Sequence, residues 1–157
     1  KEVLCTLGRM GAFLRYRDDG LIVSYDGILR AISLETAVYP GFPTDLQSPL
    51  LSVLCSAKEH SCIEERVFEN RFLTVEELRK MGANICVIGQ TAHITPIEGM
   101  QGSAVTARDL RGGAALIVEA LTAKGVTEID NIHYILRGYE NFDKKLQKLN
   151  ANIKLKQ

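Results

Sequence analysis

The sequence carries no excess of either charge. Lys and Arg total 19 and Asp and Glu total 19 over 157 residues, so no broad field draws the chain to nucleic acid or to an anionic membrane. Nor does any apolar run approach the roughly 20 residues needed to span a bilayer. No signal peptide opens the chain. Cys-x-x-Cys pairs are also missing. Cys5, Cys55, Cys62 and Cys86 are dispersed and read as buried thiols of a reducing cytoplasm rather than as disulfides or a metal set. His60, His93 and His133 read as ordinary structural residues. Any anion site must therefore be local. What is present, 46% hydrophobic and 24% charged residues, is enough to bury the core of one domain. Lys1–Met10 looks helical with no cap ahead of it, the pattern of a chain entered partway through a protein.

Repetition organises what is there. Met10-Gly11-Ala12, Met81-Gly82-Ala83 and Leu149-Asn150-Ala151 each close an amphipathic stretch and open a β-rich one. Thr44-Asp45-Leu46-Gln47 finds its echo in Arg108-Asp109-Leu110-Arg111, and Arg71 finds its echo in Arg137. The offsets are similar, so residues 26–98 read as a complete unit, 99–157 as most of another, and 1–25 as the tail of one before. Each unit reads strand, helix, strand, helix, strand, strand.

In the complete unit, Arg30–Ala37 is an apolar strand and Thr44-x-x-Gln47 a capping box for a helix through Leu54. Cys62–Val67 is the next strand, Thr74-x-x-Glu77 a second capping box, and Gly82 a C-cap glycine. Ile85–Ile88 and Ala92–Ile97 flank a Gly89-Gln90 hairpin turn. An Arg17–Gly20 turn serves the earlier tail. The later unit repeats the order with strand Ser103–Ala107, helix Leu110–Lys124 ended by Gly125, strand Thr127–Ile132, helix Phe142–Leu149 and strand Asn152–Leu155.

Strands joined through helices run parallel, so their C-terminal ends gather on one side, where open α/β layers bind ligands. Asp45, Arg71, Arg111 and Arg137 all follow such ends. One carboxylate and three guanidiniums on a repeated scaffold suit a doubly anionic substrate. Each has a plainer reading. An acid in a first helical turn favours the macrodipole, and Asp109 reads as an N-cap. Arg71 and Arg137, half-buried among Phe68, Phe72, Tyr134 and Tyr139, could pair with Glu69 and Glu140. Arg111 is less easily explained away, because a cation in a first turn opposes the dipole unless an anion compensates.

Five strings occur in order: Tyr39-Pro-Gly-Phe-Pro-Thr-Asp-Leu-Gln47, Phe68-Glu-Asn-Arg-Phe72, Leu78-Arg-Lys-Met-Gly-Ala83, Asp109-Leu-Arg-Gly-Gly-Ala-Ala115 and Arg137-Gly-Tyr-Glu140. Together they resemble the C-terminal part of the UDP-N-acetylglucosamine enolpyruvyl transferases, within the enolpyruvyl transferase family, over essentially the whole chain. The resemblance implies an inside-out α/β barrel built from βαβαββ units. It also implies a longer enzyme, whose N-terminal lysine and cysteine-bearing loop lie outside this chain. None of the four cysteines matches that loop.

The resemblance further implies the cytoplasmic first committed step of bacterial peptidoglycan synthesis, transfer of the enolpyruvyl group of phosphoenolpyruvate to the 3-hydroxyl of UDP-N-acetylglucosamine. Asp45 then matches the family's acid, Arg71, Arg111 and Arg137 its arginines, and Val67 and Phe68 the lining of the uridine-sugar site. No cofactor or metal is implied, since arginines neutralise the phosphate. The partners are the two substrates and the N-terminal part of the same enzyme. Two rivals remain: 5-enolpyruvylshikimate-3-phosphate synthase activity, which the first two strings disfavour, and a non-catalytic binding fragment.

Overall fold

The computed structural model describes residues 1–156. The three landmarks that close amphipathic stretches share one backbone state. Gly11, Gly82 and Asn150 have φ of 105°, 98° and 64°, the left-handed region in which glycine, and after it asparagine, is favoured. At Gly82 the helix ends in a Schellman motif. The Ala83 N–H donates to the Leu78 carbonyl at 3.1 Å and the Gly82 N–H to that of Arg79 at 3.0 Å. The same pair of bonds recurs at Asn150, from Ala151 to Leu146 at 3.1 Å and from Asn150 to Gln147 at 2.9 Å.

Helix α1 (Glu2–Arg9) leads into β1 (Ala12–Arg17) and β2 (Gly20–Tyr25), an antiparallel ribbon turning at Asp18-Asp19. Next come β3 (Ser33–Glu35), a 3₁₀ turn (Thr44–Leu46), α2 (Gln47–Leu54), β4 (Ser61–Glu64), α3 (Thr74–Lys80), β5 (Asn84–Ile88) and β6 (Thr91–Thr95). The four strands form one sheet in the order β3-β4-β6-β5. β3 and β4 are parallel, joined through α2, while β6 runs antiparallel to both β4 and β5. Then β7 (Ala104–Thr106), α4 (Leu110–Ala120) and β8 (Glu128–Asp130) repeat the parallel crossover, followed by α5 (His133–Leu136) and α6 (Phe142–Gln147).

Alternation decides which face of the four-stranded sheet meets the helices. Ile63, Ala92, Ile94 and Ile85 are buried in the same core as Leu50, Leu51 and Leu54 of α2, Leu78 of α3 and Leu116 of α4. Their neighbours Cys62, His93 and Cys86, paired across the sheet, point the other way. The Ser52 hydroxyl donates to the Ala115 carbonyl at 2.9 Å, satisfying a polar group inside the α2–α4 contact. Gly112 permits the approach of α4 to α3: a Cβ there would lie 2.3 Å from Thr74 Oγ1. A smaller cluster of Ala107, Ile117 and Ile135 lies under α5.

Several expectations are corrected. The described residues form three separate sheets of two, four and two strands, with no closed barrel. Neither capping box forms. The extended Pro43 occupies the N-cap ahead of Thr44, whose hydroxyl is drawn to Glu65 instead. At α3 the N-cap Leu73 is already helical, so Glu77 is released to other partners. Asn152–Leu155 is not a strand, since no neighbouring strand pairs with it. β3, β4, β6, β7 and β8 are shorter than the runs expected for them, while β5 gains Asn84, because pairing, not apolarity, bounds a strand. Of the four free thiols only Cys55 is buried; Cys5 and Cys86 are exposed and Cys62 is intermediate.

Candidate active site

The Tyr39–Phe42 loop closes on itself. Thr36 bridges Phe42, the Ala37 N–H donates to the Phe42 carbonyl at 2.9 Å, and Phe42 is buried. Pro43 and the 3₁₀ turn then deliver Asp45 with its side chain 56% exposed. The second crossover delivers Arg111. Asp109 is a true N-cap of α4, its Oδ1 accepting from the Arg111 and Gly112 N–H groups at 2.8 Å each. That cap fixes the first turn of α4 and aims Arg111 back across to the first crossover.

There the two meet. Arg111 Nε donates to Asp45 Oδ1 at 2.5 Å, and Arg71 Nη2 lies 3.7 Å from the same oxygen. Arg71 comes from the segment after β4, where Asn70 takes the left-handed conformation at φ 56°. Its guanidinium carbon sits 4.6 Å above the Phe68 ring. The hydrogen bond from Arg111, helped by the charges of Arg111 and Arg71, holds the Asp45 carboxyl below its ordinary 3.8 against the opposing push of burial. The same bond raises Arg111. The arrangement is one exposed carboxylate with two guanidiniums converging on one oxygen.

Three of the four charged candidates are thus together, and their pairing is not with Glu69. Val67 and Phe68 flank them, Val67 half-buried and Phe68 exposed. Arg137 stands differently. It is exposed rather than half-buried, caps α5, and has its guanidinium carbon 5.4 Å from the Tyr134 ring centroid. It makes no ion pair among the described residues; Glu140 pairs with Lys145 instead. Its neighbour Gly138 packs against Leu110, where a Cβ would come 2.7 Å from Cδ1, so the Arg137 loop borders the helix start that carries Arg111.

Two buried acids organise this region: Glu65, which the sequence reading passed over, and Glu77, which it gave to a capping box. Glu65, 1% exposed, accepts from Thr36 Oγ1 at 2.8 Å, Thr44 Oγ1 at 2.9 Å, the Val67 N–H at 2.9 Å and the Phe68 N–H at 3.0 Å. Glu77, also 1% exposed, accepts from Lys80 at 2.7 Å, the Thr106 N–H at 3.1 Å and Arg108 at 3.1 Å. Burial pushes Glu77 up, but these donors together leave it below its ordinary value. The available signal was an acid at a position that the apolar pattern sends inward. A cleft of about 170 Å³ lies beside Phe68 and Arg71, bounded by Glu65 and the Gly89-Gln90 turn.

Residues 1–146 match the EPSP synthase (3-phosphoshikimate 1-carboxyvinyltransferase) family. The chain is 44% identical over 152 residues to UDP-N-acetylglucosamine 1-carboxyvinyltransferase 1 of Staphylococcus epidermidis, covering 97% of this chain and 36% of that protein. It is likewise 44% identical over 153 residues to the UDP-N-acetylglucosamine 1-carboxyvinyltransferase of Desulfofundulus thermocisternus, covering 98% of this chain and 63% of that one. Among solved structures, the enolpyruvyl transferase NikO from Streptomyces tendae superposes with a TM-score of 0.87 at 28% identity, over 98% of this chain and 36% of that chain. An EPSP synthase from Acinetobacter baumannii, at 18% identity and a TM-score of 0.61 over 82% of this chain and 31% of that one, shares the fold. The chain therefore spans about a third of the length of most of these relatives and just under two thirds of the Desulfofundulus thermocisternus one, and it belongs to the EPSP synthase (3-phosphoshikimate 1-carboxyvinyltransferase) family.

Proposed function

We propose that this chain is the C-terminal part of a longer enzyme that moves the enolpyruvyl group of phosphoenolpyruvate onto the 3-hydroxyl of UDP-N-acetylglucosamine. The bond from the sugar oxygen to the enolpyruvyl carbon forms, the bond from that carbon to the phosphate oxygen breaks, and inorganic phosphate leaves. The hydroxyl proton must also go. In this reading Asp45 takes it as general base. Arg111, Arg137 and Arg71 hold the phosphate and carboxylate, where forked guanidinium contacts orient as well as neutralise. Val67 and Phe68 line the uridine-sugar site. The step is the cytoplasmic entry to bacterial peptidoglycan, and so serves cell-wall growth, cell shape and division. The units 1–25, 26–98 and 99–157 complete an inside-out barrel with the preceding part of the enzyme.

The observation that carries this reading is the convergence of Arg111 and Arg71 on Asp45. While Arg111 holds it, Asp45 is a poor base, because its pKa is depressed. An arriving phosphate competes for the guanidinium, releases the carboxylate and restores its basicity. Anion binding and base activation then become one event. The names of the relatives from Staphylococcus epidermidis and Desulfofundulus thermocisternus support the choice of sugar acceptor.

The test is phosphate release by the complete enzyme. It should require phosphoenolpyruvate and UDP-N-acetylglucosamine together, and the isolated 157-residue chain should release none. Turnover with shikimate 3-phosphate in place of the sugar nucleotide would move the chain to the sister activity.

A further inference from the structure

Glu65 is unlike the other buried carboxylates of the chain. Glu77 is surrounded by cations and ties α3 to β7 and Arg108. Glu119 is buried on α4 with Oε2 unpartnered. Glu65 makes no ion pair among the described residues, yet both its oxygens are occupied. Oε1 accepts from Thr36, Val67 and Phe68, and Oε2 from Thr44. A carboxylate, an acceptor at both oxygens, matches a set of four donors.

Those donors come from the segments that carry the candidate site. Thr44 opens the 3₁₀ turn and directly precedes Asp45. Val67 and Phe68 begin the segment that ends in Arg71, with the Phe68 ring under that guanidinium. Thr36 locks the frame from behind, since its Oγ1 donates to Glu65 and accepts from the Arg66 N–H at 2.9 Å. The Glu65 N–H itself is anchored on the Gln90 carbonyl at 2.8 Å. A rigid, dry carboxylate therefore spans two loops that have no shared secondary structure.

We propose that Glu65 is a positioning residue, whose buried carboxylate ties the turn bearing Asp45 to the segment bearing Arg71 and so sets the distance between base and anion clamp. Glu65 acts through Thr44 and through the Val67 and Phe68 amides. The inference rests on the function proposed above for its catalytic consequence, though not for its structural one.

The informative variant is Thr44→Val in the complete enzyme, which keeps shape and removes only the bond to Glu65 Oε2. A misplaced base should lower kcat roughly 10- to 100-fold with KM for UDP-N-acetylglucosamine nearly unchanged. Thr44→Ser, which retains the hydroxyl, should restore the rate. Glu65→Gln should be mild, because the amide oxygen can keep the three bonds at Oε1 while its NH₂ donates to the Thr44 hydroxyl. Glu65→Ala should be severe. A second measurement does not depend on turnover: the Asp45 carboxyl, followed by carbon NMR, should titrate closer to 3.8 in Thr44→Val than in the parent as its contact with Arg111 loosens. If Thr44→Val leaves both kcat and the Asp45 titration unchanged, Glu65 only stabilises the fold and the proposal is overturned. If the parent itself releases no phosphate with either acceptor, the proposed function fails instead, and the Asp45 titration still decides the role of Glu65.

Discussion

Arg111 Nε and Asp45 Oδ1, from the starts of two successive parallel crossovers, lie 2.5 Å apart. The cation assigned to the anionic substrate thus rests on the carboxylate assigned as base. Phosphoenolpyruvate added to the complete enzyme should raise the Asp45 pKa from its depressed state, as read by carbon NMR. A pKa that does not move at saturating phosphoenolpyruvate would contradict the release mechanism.

The same pairing separates substrate binding from simple stability. Arg111→Lys keeps the charge and loses the planar fork. Its pairing with an Asp45 that is more than half exposed contributes about 1 kcal/mol or less, so the melting temperature should barely change while KM for phosphoenolpyruvate rises sharply. Arg137→Lys should behave alike, because Arg137, against the Tyr134 ring, pairs with no carboxylate among the described residues. Normal KM values with lowered melting temperatures would make both residues structural.

Asp109 tests how Arg111 is aimed. Asp109→Ala removes the cap that accepts from the Arg111 and Gly112 N–H groups and should cost about 0.5–2 kcal/mol. Asp109→Asn, whose side-chain oxygen also caps, should recover most of it. Chemical denaturation of the three proteins distinguishes a capping role from one in binding, since a binding residue would leave the midpoint unchanged.

Local chemistry was legible where one residue type answers one need. Gly82, the Gly89-Gln90 turn, the Asp18-Asp19 turn and the Asp109 cap could be read because each rests on backbone geometry or on a neighbour in sequence. The Thr44 and Thr74 capping boxes failed for a complementary reason. The Thr44 hydroxyl has a partner supplied by tertiary structure, Glu65, while the helix at Thr74 starts earlier, with an already helical Leu73 at its N-cap. Glu65 was passed over and Glu77 was given to a capping box because the donors that hold each carboxylate converge from segments distant in sequence. The grouping of Asp45, Arg71 and Arg111 followed from the repeat, whereas the outlying position of Arg137 depends on α5, a four-residue helix too short to show a period.

Glu119 predicts a pH dependence. Burial pushes its pKa up from 4.5 to about 7, against the hydrogen bond from Thr122. Its folded value is the higher one, so its protonated form favours folding. That contribution is full below pH 4.5 and is lost as pH rises to about 7, a span worth up to about 3 kcal/mol. The neighbouring Cys55 thiol, raised to about 12 first by burial and then by Glu119, stays protonated throughout. Glu119→Gln should therefore match the parent in stability near pH 4.5 and exceed it at pH 8. Parallel stability profiles for the two proteins would sink the assignment.

The assignment of Asp45 as base is tested by Asp45→Ala in the complete enzyme. Phosphate release from phosphoenolpyruvate and UDP-N-acetylglucosamine should fall roughly 10²- to 10⁴-fold in kcat, while binding of the sugar nucleotide, measured by calorimetry, survives. A variant with near-normal kcat would contradict the role given to Asp45 and, with it, the reading of the Asp45–Arg111–Arg71 cluster as the catalytic centre.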